Sequence, residues 1–324
     1  MKLYLSGNFS LSHFVKILEF DTISLIVRKD NNMNIQSFSI VVPNKECMNK
    51  CPFCVSRMVN SNIYPNLMSI DHSTYDYNVR EYLKRMKYVA DNGCKTLMLT
   101  GTSEPQQNKQ FLNTFALLHE ILGKPFTNIE MQTTGVLLDR RPDYLRFLKN
   151  FVGVNTVAVS LSSIFKEVNS DLIGNNVDVK ELCRMLKDYG FNVRICCNLT
   201  KCFDNDESDP QFLLEFLKKD FYADQVTFRK MYVDSYYTEQ GKWLERNKID
   251  ESYVKRLAKY LMQFPVACQT IYGTDIRYIG GMSVIFDDDC MGKKPKKDNT
   301  VKYLILRPNC KLYYSWDDPA SLVF

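Results

Sequence analysis

The stretch FSIVVPNKECMNKCPFC, residues 38–54, carries the first structural signal of this 324-residue chain. Its opening run, Phe38–Val42, is apolar, rich in β-branched residues and short, as expected of a buried strand. Cys47, Cys51 and Cys54 follow it with the spacing CxxxCxxC. In parallel α/β proteins, the loops that follow strands carry the chemistry. Three thiols at this position therefore predict a metal-binding or catalytic centre.

Further apolar, β-rich runs follow this strand and alternate with amphipathic stretches. The six predicted strands cover residues 38–42, 96–99, 129–132, 156–161, 193–199 and 225–228. From the second strand onward the units repeat roughly every 30–35 residues, which is the length of a βαβ unit. The pattern predicts an α/β fold with a parallel sheet and helices outside it. Six units predict a partial, TIM-like (βα)6 barrel, because a closed barrel has about eight.

The pattern divides the chain into three parts. These are an N-terminal segment, residues 1–36, the partial barrel, residues 37–235, and a small C-terminal extension, residues 236–324. The extension is predicted to be α+β and to cap the barrel. Its predicted elements are a helix over 250–264 and strands near 282–286, 301–306 and 311–314. The basic run GKKPKKD, Gly292–Asp298, predicts a solvated loop.

Composition indicates a cytoplasmic protein without a membrane anchor. No apolar run approaches the ~20 residues of a membrane helix, and the first 20 residues lack the features of a signal peptide. The 42 basic and 37 acidic residues give a net charge of +5, which is mild and argues against nucleic acid as a partner. The eleven cysteines are odd in number and irregularly spaced, which does not suit a disulfide framework.

Two kinds of metal centre fit the cysteine cluster. A structural zinc site needs four ligands, and the three histidines show no ligand spacing, so a distant cysteine would have to supply the fourth. A non-catalytic zinc-binding or scaffold protein is therefore the alternative interpretation. An iron–sulfur cluster held by only three cysteines leaves one iron without a protein ligand, so that a small molecule can bind there.

A second motif stands where the second predicted strand ends, Thr100-Gly-Thr-Ser-Glu-Pro105. Together with the CxxxCxxC loop and Phe53 just before its third cysteine, it resembles the radical S-adenosylmethionine (radical SAM) superfamily. There a Gly-Gly-Glu-Pro motif binds the methionyl amino group of SAM; here Thr-Ser replaces the second Gly. The resemblance implies one [4Fe–4S] cluster on the three cysteines. It also implies SAM-binding roles for Phe53, Gly101, Thr102, Ser103 and Glu104.

Later strand ends are similar to those of the molybdopterin-precursor GTP cyclase, or SPASM-like, branch of that superfamily. By this resemblance Ser160 binds the ribose of SAM and Met231 packs on its adenine. Thr133, Arg194 and Arg229 are then candidates for substrate binding, with Arg194 expected at the carboxyl end of its strand.

The C-terminal third lacks the auxiliary-cluster cysteines of that branch, since Ser315 stands where a cysteine is expected. Cys290 and Cys310 alone are too few for a second cluster. We therefore expect one cluster, and this argues against the cyclase activity itself.

The resemblance implies the following chemistry. The reduced cluster passes an electron to SAM, and the resulting 5′-deoxyadenosyl radical abstracts hydrogen from a substrate, which is a small molecule or a peptide. The electron donor is expected to be a flavodoxin or ferredoxin. No catalytic residue beyond the cluster ligands is assigned, and the motifs do not identify the substrate.

Overall fold

The computed structural model describes residues 33–44, 46–58, 75–203, 209–233, 238–292 and 299–323. Most of the predicted N-terminal segment, residues 1–32, and most of the basic run, residues 293–298, lie outside these ranges. The prediction of a solvated basic loop therefore falls almost wholly outside the described residues.

Eleven strands form one sheet in the described part of the chain. They are β1 (Asn34–Val42), β2 (Thr96–Gly101), β3 (Asn128–Thr133), β4 (Thr156–Leu161), β5 (Asn192–Leu199), β6 (Gln225–Lys230), β7 (Val266–Gln269), β8 (Asp275–Ile279), β9 (Met282–Asp287), β10 (Thr300–Leu306) and β11 (Leu312–Tyr313). Their order is β11-β10-β1-β2-β3-β4-β5-β6-β9-β8-β7.

The helices connect these strands. They are α1 (Val55–Met58), α2 (Tyr75–Asp91), α3 (Lys109–Ile121), α4 (Pro142–Phe147), α5 (Lys166–Ile173), α6 (Val179–Asp188), α7 (Pro210–Asp220), α8 (Glu239–Asn247) and α9 (Glu251–Leu261). Several begin at a side chain that accepts a hydrogen bond from the first turn, namely Asn108, Asp178, Asp209 and Asp250. Such N-caps satisfy backbone N–H groups that have no partner within the helix.

Eight neighbouring strands, from β10 through β1–β6 to β9, run parallel to one another. The antiparallel strands lie outside them, with β11 on one edge and β8 and β7 on the other. The predicted α/β partial barrel is confirmed, and backbone pairing does not close the sheet. The C-terminal region shares this sheet, because β9 pairs with β6 and β10 pairs with β1.

Side chains connect the two edges of the parallel region. The Lys302 ammonium donates to an Asp287 oxygen over 2.8 Å, and the Tyr303 hydroxyl donates to the Cys290 carbonyl over 2.7 Å. These contacts join β10 to β9 and to the loop that follows it. The barrel interior is therefore enclosed along this seam without a ladder of backbone hydrogen bonds.

The outer face of the sheet packs against the helices and forms the main apolar core. Fully buried strand residues of this core include Phe38, Leu97, Val157, Ile195 and Phe228. Burial of each such side chain contributes about 1.5–3 kcal/mol. The core fixes the strands, and with them the loops at their carboxyl ends.

Candidate active site

A cavity of about 230 Å³ lies where β1–β6 end. Its lining residues come from the ends of five strands, β2–β6, from the cysteine loop that follows β1 and from the loop after β9. They are Cys47, Asn49, Cys51, Phe53, Cys54, Val55, Ser56, Thr100, Gly101, Thr102, Ser103, Glu104, Gln132, Thr133, Thr134, Ser160, Asn198, Arg229, Met231, Tyr232 and Cys290. All the residues predicted from sequence to bind cluster, SAM or substrate line this cavity, with the exception of Arg194.

A larger cavity of about 420 Å³ lies between α5, α6 and α7. Its lining is mostly apolar and includes Phe212, Phe216 and Phe221. Because it contains none of the clustered cysteines, we place the chemistry in the smaller cavity.

The cysteine loop is fixed to its surroundings by backbone contacts. The Lys50 N–H donates to the carbonyl of Ile173, at the end of α5, over 3.0 Å. Within the loop, the Arg57 guanidinium donates to the Asn49 carbonyl over 2.9 Å, and the Asn49 N–H donates to the Cys47 sulfur over 3.4 Å. The loop therefore presents its thiols from a defined backbone.

The environment of the thiols opposes their ionisation. Burial raises the pKa of Cys51 to about 12, and the neighbouring Cys54, Cys47 and Glu104 add to the increase. Burial also raises the pKa of Cys47. Only thiolates bind metal, and a bound metal cation offsets this desolvation and mutual repulsion. The donor chemistry of the loop thus suits a cationic centre.

The described residues do not form a compact site for a single metal ion. In the described ranges, no group of three or more His, Cys, Asp or Glu side chains is placed to hold one metal ion. Cys290 lines the same cavity, but the charges acting on it are those of Arg229, Asp287, Lys302 and Asp289. An iron–sulfur cube holds its thiolates at separate corners. Among the described residues no fourth ligand is grouped with the three thiols, and this donor set fits such a cluster with one open corner.

Glu104 is the most highly connected residue of the cavity. Its carboxylate accepts hydrogen bonds from the Asn49 amide (2.7 Å), the Gln106 amide (2.8 Å), the Thr134 N–H (3.1 and 3.2 Å) and the Thr133 hydroxyl. Burial raises the pKa of Glu104, and these hydrogen bonds oppose that increase. A carboxylate has about four lone-pair sites, so the protein itself occupies the acceptor positions of this one.

Asn49 extends the network to a third segment. Its amide also donates to the Thr134 hydroxyl over 2.9 Å, and its carbonyl oxygen accepts from Asn175, after α5, over 3.0 Å. Asn49 lies between the first two cysteines, so the network joins the cysteine loop to the ends of β2 and β3. Sequence reasoning missed Asn49, Gln106, Thr134 and Asn175, because amide and hydroxyl residues in loops carry no motif of their own.

Comparison with known proteins identifies the family. A family model described as the Radical SAM superfamily matches residues 41–217, which is more than half of the chain. The chain belongs to the radical SAM superfamily. It is therefore an enzyme of a superfamily whose members cleave SAM reductively, typically with a [4Fe–4S] cluster. The resemblance to the cyclase-like branch stays a prediction.

Two other comparisons complete this result. A solved structure, a radical SAM methyltransferase from Sphaerobacter thermophilus, matches with 18% identity and a TM-score of 0.41. The match covers 55% of this chain and 51% of that one, so this chain spans about half the length of the methyltransferase. No curated protein matches the chain.

Among the described helices, none is long and apolar enough to cross a membrane.

An apolar cluster covers one side of the cysteine loop of this radical SAM enzyme. Phe53, Met58 and Leu244 are buried together, with Cys51, Met231 and Trp243 packed against them. The Phe53 and Trp243 ring centroids are 5.7 Å apart. Trp243 and Leu244 come from α8, in the C-terminal extension, and sequence reasoning missed them because no motif marks that helix. The cluster limits the access of water to the thiols.

The far side of the cavity is formed by β4, β5 and β6. Ser160 and Asn198 lie near the ends of β4 and β5, and the Asn198 amide is 3.4 Å from the Ser162 hydroxyl. Arg229, on β6, lines the cavity next to Met231. Sequence reasoning named Ser160, Arg229 and Met231 but missed Asn198.

The expectation that Arg194 stands at the carboxyl end of its strand is wrong. It is the third of the eight residues of β5, in register with Ala158 and Gln225. Its guanidinium donates to the buried carboxylate of Glu130 and to the Gln225 side chain over 2.7 Å. Because β5 continues to Leu199, Asn198 rather than Arg194 reaches the cavity. Arg194 instead neutralises a buried carboxylate deeper in the barrel.

Proposed function

We propose that this enzyme binds one [4Fe–4S] cluster on Cys47, Cys51 and Cys54 and uses it to cleave SAM. When bound, the cluster supplies the electron for reductive cleavage, and the resulting 5′-deoxyadenosyl radical abstracts hydrogen from a small-molecule or peptide substrate. The observation that carries this proposal is that three thiols and the ends of five strands line a single cavity. The superfamily assignment supports the same chemistry.

The backbone after β2 is suited to receive the amino group of SAM. At Gly101 an added Cβ would lie 2.9 Å from the Ser103 carbonyl oxygen and 3.2 Å from the Val42 carbonyl oxygen. Only glycine fits this close approach, and carbonyl oxygens attract an ammonium group. We assign the amino-group contact to Gly101, Thr102 and Ser103. Glu104 supports them from behind, since its own oxygens are engaged by the protein.

The remaining contacts to SAM follow from the positions of the lining residues. Ser160 would donate or accept a hydrogen bond at the ribose, and Met231 would pack on the adenine. Phe53, with Trp243 behind it, would keep water from the cluster. Thr133 is bonded to Glu104 and Gln106, so we assign it to the support of the loop rather than to substrate.

We further propose that the enzyme works in the cytoplasm with a flavodoxin or ferredoxin as its electron donor. All eleven cysteines are free thiols, as expected in a reducing compartment. A cluster that must deliver an electron to SAM also needs a strongly reducing partner.

Anaerobic reconstitution tests the proposal against the zinc alternative. We expect brown protein that contains iron and sulfide in equal amounts and forms 5′-deoxyadenosine from SAM with dithionite. Cys51→Ala should abolish both the cluster and the product. Cys268→Ala, which removes an exposed thiol on β7, is the matched control and should keep both. Colourless protein that contains zinc would contradict the proposal.

A further inference from the structure

Arg229 is a charged side chain of the cavity that makes no hydrogen bond or ion pair with any of the described residues. It is on β6, lines the cavity and is partly buried. Its Nε atom is buried without a hydrogen bond, and no ion pair or hydrogen bond connects its guanidinium to any described residue. Arginine stays protonated in proteins. A guanidinium withdrawn from water gains from a counter-ion, so this site is suited to an anion.

The one carboxylate that the electrostatics of Arg229 include, Asp287, is shared with a second cation. Asp287 is in register with Arg229 on β9, but its carboxylate accepts from the Lys302 ammonium over 2.8 Å. Burial raises the pKa of the Cys196 and Cys290 thiols and of the Tyr303 phenol, which keeps these neighbours neutral near pH 7. The Asp287 carboxylate therefore serves two cations, Arg229 and Lys302.

Arg194 is an arginine of the same barrel that has a structural role, and its partners can be compared with those of Arg229. Arg194 and Arg229 are on adjacent strands. Arg194 has both a carboxylate partner, Glu130, and an amide partner, Gln225. Arg229 has neither, although it is four register positions closer to the open end of the barrel. The difference indicates that the guanidinium of Arg229 is kept for a ligand.

We propose that Arg229 anchors an oxyanion, a phosphate or carboxylate, that belongs to the substrate. The proposal rests on the proposed function and adds a substrate class: an anionic molecule held by its charged group at β6. The cysteine loop and the residues assigned to SAM's amino group follow β1 and β2, whereas Arg229 is on β6. The anion and the SAM amino group would therefore be held by residues of different strands. The fork of an arginine matches phosphate and carboxylate oxygens bidentately.

Calorimetric titration of inorganic phosphate, and separately of acetate, into SAM-loaded protein tests this proposal. We expect at least one anion to bind and Arg229→Gln to weaken it at least about tenfold, with SAM affinity unchanged. Arg229→Lys should retain part of the affinity. Arg146→Gln removes an exposed arginine on α4 and is the matched control. Equal anion affinity in Arg229→Gln, or no binding of either anion by the unsubstituted protein, would overturn the proposal.

Further measurements distinguish a substrate anion from the carboxylate of SAM, and failure of the anion site from failure of the radical chemistry. If the anions compete with SAM and Arg229→Gln loses SAM affinity, Arg229 binds the carboxylate of SAM and the proposal is overturned. Protection of Arg229 from phenylglyoxal by phosphate, measured by mass spectrometry, needs no variant and applies even if the variants do not fold. Anion binding without 5′-deoxyadenosine formation would support the anion site while contradicting the radical chemistry. Formation of 5′-deoxyadenosine without anion binding would overturn the anion site and leave the radical chemistry standing.

Discussion

Two walls of one cavity each contain a charged side chain, and the two side chains differ in how many hydrogen bonds the protein gives them. On the wall after β2, the Glu104 carboxylate accepts hydrogen bonds from four residues, and these connect it to the cysteine loop and β3. On the wall at β6, the Arg229 guanidinium has no partner among the described residues. A charge that the protein satisfies holds the structure together, whereas a charge that it leaves unsatisfied is available to a ligand. The comparison assigns support to the first wall and recognition to the second.

The largest expected effect comes from Glu104. Glu104→Ala removes the shared acceptor of the Asn49 and Gln106 amides, the Thr133 hydroxyl and the Thr134 N–H, which should cost about 3–5 kcal/mol of unfolding free energy. It should also release the cysteine loop and reduce the iron content after reconstitution. Urea unfolding and iron analysis measure the two effects. Glu104→Gln keeps one acceptor oxygen, so its unfolding free energy and iron content should lie between those of the unsubstituted protein and those of Glu104→Ala. Full cluster content with loss of SAM affinity alone would show that Glu104 binds SAM rather than the loop.

A paired substitution of the two interior arginines tests the comparison directly. Arg194→Met leaves the Glu130 carboxylate buried without its partner and should destabilise the protein by about 3–5 kcal/mol. Arg229→Met removes an unpaired charge and should leave the free energy of unfolding unchanged or raise it by about 1 kcal/mol. Unfolding of the cluster-free proteins in urea measures both. A similar loss in the two variants would mean that Arg229 has a structural partner.

A smaller effect is expected at the apolar cover of the cysteine loop. Trp243→Ala removes the ring beside Phe53 and should open the thiols to water and oxygen. The reconstituted cluster should then bleach several-fold faster in air, which absorbance near 400 nm follows, while the anaerobic iron content stays the same. Tyr278→Ala, at an exposed aromatic residue on β8, is the control. An unchanged bleaching rate would remove Trp243 from the shielding role.

The smallest effect is expected at the edge of the Glu104 network. Asn175 donates one hydrogen bond to Asn49 and is the last member of the network on that side. Asn175→Ala should cost about 1 kcal/mol in unfolding free energy and leave cluster content intact. A loss as large as that of Glu104→Ala would show that the network depends on Asn175 rather than on Glu104.

The strands were largely predictable because their signal is local. The prediction for β4, residues 156–161, matches the observed strand, and the other five barrel predictions lie within the observed elements. The predicted helix over 250–264 corresponds to α9. Local periodicity does not specify strand neighbours, however, so the pairing of β9 with β6 and of β10 with β1 was not foreseen. The short strands β7 and β8 and the helix α8 were also not predicted.

The site residues that belong to a sequence motif were predictable, whereas those whose role depends on contacts in the folded protein were not. The cysteines and the residues around Glu104 have a spacing that can be recognised in the sequence. The role of Glu104 depends on Asn49 and Gln106, whose contributions arise only when the loop folds against β2 and β3. The position of Arg194 was predicted wrongly because its depth in the barrel depends on the length of β5. The sequence also does not show that Arg194 pairs with the buried Glu130, which lies far from it in the chain.

Electron paramagnetic resonance of the anaerobically reduced protein tests the central claim most directly. We expect the signal of a reduced [4Fe–4S] cluster that changes shape when SAM is added, because SAM binds the iron that lacks a cysteine. The signal should be absent from Cys47→Ala, Cys51→Ala and Cys54→Ala. A signal that SAM leaves unchanged, or the absence of any iron signal from protein that contains zinc, would contradict the account.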